Sequence, residues 1–187
     1  MIGLTKSYKT LIHRALYLNF KYEELEEIYD NARDLYYTEF DKYKKKNEII
    51  GETIDDSVHF GESEKINDDI EMTESFKKFY RRITQRTHPD KIEHLSVTKK
   101  RKKELNEMYI SATQAFKEGD VVRLLEIGSD LFIEQPNPSK KDIKLLEEYC
   151  THKVKEINNL ENSVVLSWYD ATEDMKLDIF KKMAKVS

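Results

Sequence analysis

Glycine and proline are scarce, at five and three in 187 residues. Average usage is roughly 7% and 5%. Strand-rich folds spend both on turns, so an all-β sandwich or barrel is excluded. Cysteine occurs once, as Cys150. No internal disulfide can form, and a reducing compartment is the simplest setting. No apolar run approaches the ~20 residues that cross a bilayer, so no membrane partner is expected. The opening MIGLTKSYKTLIHRALYLNF has no long apolar core and no small-residue cleavage site, so no secretory signal is expected. The expected location is the cytoplasm or, for a viral chain, the host-cell cytoplasm or nucleus. A Gly-rich phosphate loop, a nucleophile elbow and a defensible catalytic carboxylate pair are all missing. The expectation is therefore no catalytic residue, no cofactor and no enzyme. Cys150 and His152 are two apart, on different faces of a helix, with no second cysteine and no histidine pair at ligand spacing. No metal site is expected.

Apolar residues make up 39% of the chain and charged residues 36%, enough for a core beneath a very polar surface. The formal net charge of -4 hides a strong pattern. Residues 1–74 carry 10 Lys+Arg against 18 Asp+Glu, residues 75–103 carry 11 against 2, and residues 104–187 carry 11 against 16. A basic island between acidic flanks seeks an acidic surface, which charge alone cannot assign to protein or nucleic acid.

The apolar spacing predicts helices throughout. Leu18, Tyr22, Leu25, Tyr29, Ala32, Tyr36, Glu39 and Tyr43 alternate at steps of four and three, a heptad seam with tyrosine at 22, 29, 36 and 43. Tyrosine suits a tight dimer seam poorly, and Glu39 interrupts the stripe. An amphipathic helix packed on this chain's own core is therefore preferred over an intermolecular coiled coil. Residues 48–74 lose the periodicity and read as an acidic linker, with a short helix near Ile66–Met72. Residues 75–87 form a second helix. One arc holds Phe76, Phe79, Tyr80, Ile83 and Thr87, the other Lys77, Lys78, Arg81, Arg82 and Arg86. Pro89 stops this helix and pushes His88 toward an extended backbone. A third helix spans about Val97–Lys117, with Leu105, Met108, Tyr109, Ala112, Ala115 and Phe116 on one face. Gly119 is placed to end it and Asp120 to cap a fourth over 121–134. Pro136 and Pro138 close that one. Ser139-Lys140-Lys141-Asp142 reads as the start of a fifth helix, to about Leu160. A last helix is expected from near Asp170 to Lys185. The stretch Val164–Tyr169 is too short to assign. This divides the chain into an N-terminal helical segment (1–50), the acidic linker (51–74), a core (75–120) and a C-terminal helical extension (121–187).

His88-Pro89-Asp90 is the sharpest feature. The run Tyr80-Arg81-Arg82-Ile83-Thr84-Gln85-Arg86-Thr87-His88-Pro89-Asp90-Lys91 resembles the second helix and loop of J-domains, the DnaJ/Hsp40 co-chaperone module. Lys103-Glu104-Leu105-Asn106-Glu107-Met108-Tyr109 is similar to that family's third helix, Lys-Glu-Ile-Asn-Glu-Ala-Tyr, in the order and register the family uses. The resemblance covers about 75–117. The family's first helix, with its Tyr-x-x-Leu-Gly signature, is not visible in 55–74, Met108 stands where alanine is usual, and the third helix runs on past Tyr109. The heptad helix near 18–43 is expected to replace or supplement the missing helix.

The resemblance implies an all-α fold: an antiparallel helical hairpin with additional N- and C-terminal helices. Its core would hold Phe79, Tyr80, Ile83, Leu105, Tyr109 and Ala112, each contributing about 1.5–3 kcal/mol on burial. It also implies a partner, the ATPase domain of an Hsp70. The binding residues would be His88, Pro89, Asp90, Lys77, Lys78, Arg81, Arg82, Arg86 and Lys91, and the effect would be faster ATP hydrolysis in the partner. Proline lowers the number of loop conformers, so less entropy is lost on docking. A carboxylate at Asp90 would accept a forked pair of bonds from an arginine. Residues 121–187 would contact protein clients. The alternative is a nucleic-acid-associated or assembly protein that uses the basic island 77–103, Lys99–Lys103 above all, on phosphates without Hsp70 stimulation. Positive charge at a helix N-terminus is opposed by the macrodipole, which keeps that reading in play.

Overall fold

The computed structural model describes residues 2–47 and 72–185; side chains are described for 7–47 and 72–184. Every regular element among these residues is α-helical: α1 (Ile2–Lys46), α2 (Glu74–Thr87), α3 (Pro89–Glu93), α4 (Lys99–Glu118), α5 (Val121–Asp130), α6 (Lys140–Glu161), α7 (Val164–Tyr169) and α8 (Glu173–Lys185). The fold class is all-α, as the apolar spacing predicts. No helix among the described residues is long and apolar enough to cross a membrane. The short helix expected near Ile66–Met72, like most of the acidic linker, lies outside the described residues; Met72 itself is buried and precedes α2. Two compact units divide the described chain, one of residues 2–19 and 72–151, the other of residues 20–47 and 152–185.

The first unit is built around a hairpin. Tyr80 of α2 stacks on Phe116 of α4 with ring centroids 4.2 Å apart, whereas His88, eight residues further on, meets Tyr109, seven residues back. Rising numbers on one helix thus face falling numbers on the other, so α2 and α4 are antiparallel. Thr73 caps α2 by accepting from Phe76 N–H, and Thr98 caps α4 by accepting from Arg101 N–H. Gly119 ends α4 at φ 74°, a left-handed conformation that glycine adopts without steric cost. Asp120 then accepts from Arg123 N–H and starts α5.

Four of the six expected hairpin core residues are buried: Phe79, Ile83, Leu105 and Ala112. Tyr80 and Tyr109 are only half-buried. Tyr80 Oη lies 3.4 Å from Thr113 Oγ1, and the Tyr109 ring meets His88. Phe76, Thr87, Ile92 and Ala115 complete the buried set.

The third helix of this core is α5, which packs on both α2 and α4. Of the heptad stretch 18–43, the residues from Phe20 onward belong to the second unit. α5 is apolar, with Val121, Val122, Leu124, Leu125 and Ile127 all buried, and the two-residue link Gly119-Asp120 to α4 delivers it to the hairpin. The closest approach is at Gly128. A Cβ there would sit 2.2 Å from Phe79 Cζ and 2.9 Å from Phe79 Cε1. Phe79 is fully buried, so the ring has to shift against packed neighbours. Gly128→Ala is therefore expected to destabilise the protein by about 1–2 kcal/mol. Overpacking costs about 1–3 kcal/mol and is only partly offset by the gain of about 1 kcal/mol in helix propensity. Urea unfolding would read this as a lower midpoint, and an unchanged midpoint would show that the ring can move aside.

In the second unit, Ala32, Tyr36 and Phe40 of α1 pack against Val165, Leu166 and Trp168 of α7 and Phe180 of α8. Tyr36 meets Trp168 edge-on at 5.4 Å, and Trp168 stacks on Phe180 at 5.6 Å. The heptad seam is thus satisfied within the chain. Glu39 is exposed and Phe40 takes its place in the core, a one-residue drift expected of a straight helix with 3.6 residues per turn. Ser163 caps α7, the stretch too short to assign by periodicity, by accepting from Leu166 N–H. The last helix starts at Glu173, three residues later than expected.

Candidate functional site

The site is the corner between α2 and α4 with the outer face of α2. That helix buries Phe76, Phe79, Ile83 and Thr87 along one side. The 100° turn per residue then places Lys78, Arg81 and Gln85 on the opposite side, where all three are exposed. Lys77 lies beside them, 3.3 Å from Glu74 of the preceding turn. Arg82 and Arg86 take a different position. They flank the helix and donate to backbone: Arg82 Nη1 to the Glu134 carbonyl at 2.9 Å, and Arg86 Nη1 to the Leu131 carbonyl at 2.6 Å. The five cations expected on one arc thus divide into an outward-facing group and a pair that fastens the turn after α5.

The corner has the backbone its sequence requires. His88 is extended at φ -62°, ψ 131°, and Pro89 occupies the first position of α3. Lys91 N–H and Ile92 N–H both donate to the His88 carbonyl, at 2.9 and 3.1 Å. Ile92 is buried and pins the short helix to the core. The corner side chains face outward. The Asp90 side chain is 87% exposed and that of His88 44%, with His88 Nδ1 3.6 Å from Asp90 Oδ2. The imidazole lies edge-on to the Tyr109 ring at 5.4 Å. Lys91 is exposed beside them. His88 is therefore held between Tyr109 and the turn, while Asp90 projects clear of the protein.

The basic run that opens α4 is largely spoken for. Arg101 pairs with Glu104 at 3.0 Å, Lys103 with Glu107 at 3.6 Å, and Lys102 Nζ donates to the Glu93 carbonyl at 2.8 Å. Lys99 and Lys100 are exposed.

The residue that anchors α2 from below was legible only as part of a helix start. Asp142 is fully buried. Its Oδ1 accepts from Thr73 Oγ1 at 2.5 Å, and its Oδ2 accepts from Ser75 Oγ at 2.5 Å and from Ser139 N–H at 2.6 Å. One carboxylate therefore joins the starts of α2 and α6. Burial pushes its pKa up, but the hydrogen bonds from Ser75, Thr73 and Ser139 outweigh burial and hold it below the usual range. The capping spacing pointed to Ser139 and Asp142, but nothing local signals that Thr73 and Ser75, nearly seventy residues earlier, share the same oxygens. Tyr8 is buried near this carboxylate; burial first, and the charge of Asp142 second, push its phenol above the ordinary range.

Cys150 is buried, and burial raises its thiol pKa against the opposing pull of Arg14. Among the described residues no group of three His, Cys, Asp or Glu side chains could hold a metal ion. No protein-family model matches the chain, and neither do any curated protein or solved structure.

Proposed function

We propose that this chain is a J-domain-type co-chaperone that stimulates ATP hydrolysis by an Hsp70. One observation carries the reading. A carboxylate, Asp90, projects from a proline-led turn between two antiparallel helices, next to a helix whose outer face bears Lys78 and Arg81. The outward cations suit an acidic patch on the ATPase domain. The Asp90 oxygens suit an arginine near the interdomain linker, which they would engage as a charge-assisted fork. The chain supplies no reacting group. It acts by binding one conformation of the partner better than another, and so shifts a population. Residues 121–187 are then divided: α5 belongs to the hairpin core, which leaves the more distal helices for client contacts.

The test is single-turnover hydrolysis by ATP-loaded Hsp70, bacterial and eukaryotic cytosolic, with and without the purified protein. A severalfold acceleration is expected, and no acceleration of either enzyme would sink the proposal. A second reading, phosphate binding, is favoured by Lys99 and Lys100, which stand exposed in the first turn of α4 where the helix dipole disfavours cations. It requires DNA or RNA affinity that falls steeply with salt, by a log–log slope of about -0.9 per neutralised phosphate, and that is lost when both lysines become alanine.

A further inference from the structure

Phe132 is 92% exposed and sits at φ 53°, the one non-glycine residue among those described with positive φ. Both properties are unusual for a bulky side chain, which ordinarily leaves this backbone region to glycine or asparagine. The turn itself is well made. Ile133 N–H donates to the Gly128 carbonyl at 2.8 Å and Phe132 N–H to the Ser129 carbonyl at 2.9 Å, the double closure that ends a helix through a left-handed residue. Leu131 and Ile133, on either side, are buried. The carbonyls of Leu131 and Glu134 are those held by Arg86 and Arg82 of α2. The aromatic ring is thus displayed by a fastened turn, not by a loose loop, at the flank of the basic helix. Along the same flank Lys78 and Arg82 line an open cleft of about 410 Å³ with Pro136 and Asn137.

We infer that Phe132 is a contact residue for the Hsp70 ATPase domain, an aromatic anchor for an apolar pocket beside the acidic patch that receives α2. The inference rests on the co-chaperone reading and extends its surface from the helix to the turn. Asp130 and Glu134 share the turn, so charge there does not favour an acidic partner; the turn offers the ring and α2 offers the charge. An exposed phenylalanine gains by entering a pocket, and one held on a rigid turn loses little entropy in doing so. Nothing in the packing among the described residues rewards a phenylalanine at a position where glycine would sit without strain, whereas binding would.

The test uses the full chain and ATP-bound Hsp70. Phe132→Gly suits the left-handed backbone, so its thermal midpoint should match or exceed wild type while its affinity for Hsp70 falls by roughly tenfold or more. Phe132→Trp should retain affinity. Asp90→Asn, measured alongside, reports on the co-chaperone reading itself. If wild type binds and Asp90→Asn no longer stimulates, but Phe132→Gly binds as well as wild type, the aromatic contact is wrong and the co-chaperone reading stands. If Phe132→Gly and Phe132→Trp lose affinity equally, the loss belongs to the turn and the inference is overturned. If wild type itself does not bind, both fall together.

Discussion

Asp90→Asn is expected to abolish Hsp70 stimulation and leave the protein folded. The carboxylate makes no hydrogen bond to the described residues, and His88 Nδ1 lies 3.6 Å from it. Substitutions at such exposed positions usually change stability by less than about 0.5 kcal/mol. Asparagine keeps the size and shape but cannot present two anionic oxygens to a guanidinium. Each hydrogen bond to a charged group is worth about 1.5–3 kcal/mol, so two lost bonds remove about 3 kcal/mol or more. That is roughly a hundredfold in the population of the activated partner. Single-turnover ATPase rates at saturating protein, with thermal unfolding of the same samples, would separate loss of signal from loss of fold. Full stimulation by a well-folded variant would remove Asp90 from the mechanism.

Asp142→Ala is expected to cost about 3–5 kcal/mol, because three donors that met one buried carboxylate are left without an acceptor. Asp142→Asn should cost less, since the hydroxyls of Thr73 and Ser75 can turn to accept from its amide. The same carboxylate gives a pH dependence of definite sign. Its folded pKa lies below the unfolded value of about 3.9. The stability it contributes is therefore complete above that value and is lost as pH falls through the lower, folded one. Chemical denaturation from pH 6 down to pH 2 should show this loss in wild type and a shallower one in Asp142→Asn. Identical profiles would show that other carboxylates dominate acid unfolding.

Local chemistry was legible in this sequence and long-range partnership was not. The α2 boundary at Thr87 followed from Pro89, the extended backbone of His88 from the same proline, and the end of α4 from Gly119. The arc of Phe76, Phe79, Ile83 and Thr87 emerged from helical spacing alone, because one stripe must be buried whatever covers it. What covers it was not inferable. That α5, after the hairpin, packs on both of its helices shows only in their contacts, closest between Phe79 and Gly128, and an isolated helical glycine carries no such label. The helical wheel likewise counted Arg82 and Arg86 with the other cations, since it reports direction and not the carbonyls waiting beside the helix. Substitutions at those two arginines disturb the turn as well as any partner contact. Lys78 and Arg81 are the cleaner probes of docking.

The chain has a single tryptophan, and it lies in the aromatic cluster of the second unit against Tyr36 and Phe180. Its fluorescence will shift to longer wavelength when α7 and α8 come apart, and so reports on that cluster. Circular dichroism at 222 nm follows all the helices. Comparing the two curves during a single titration therefore shows, without any labelling, whether the two halves of this protein lose their order together or in sequence.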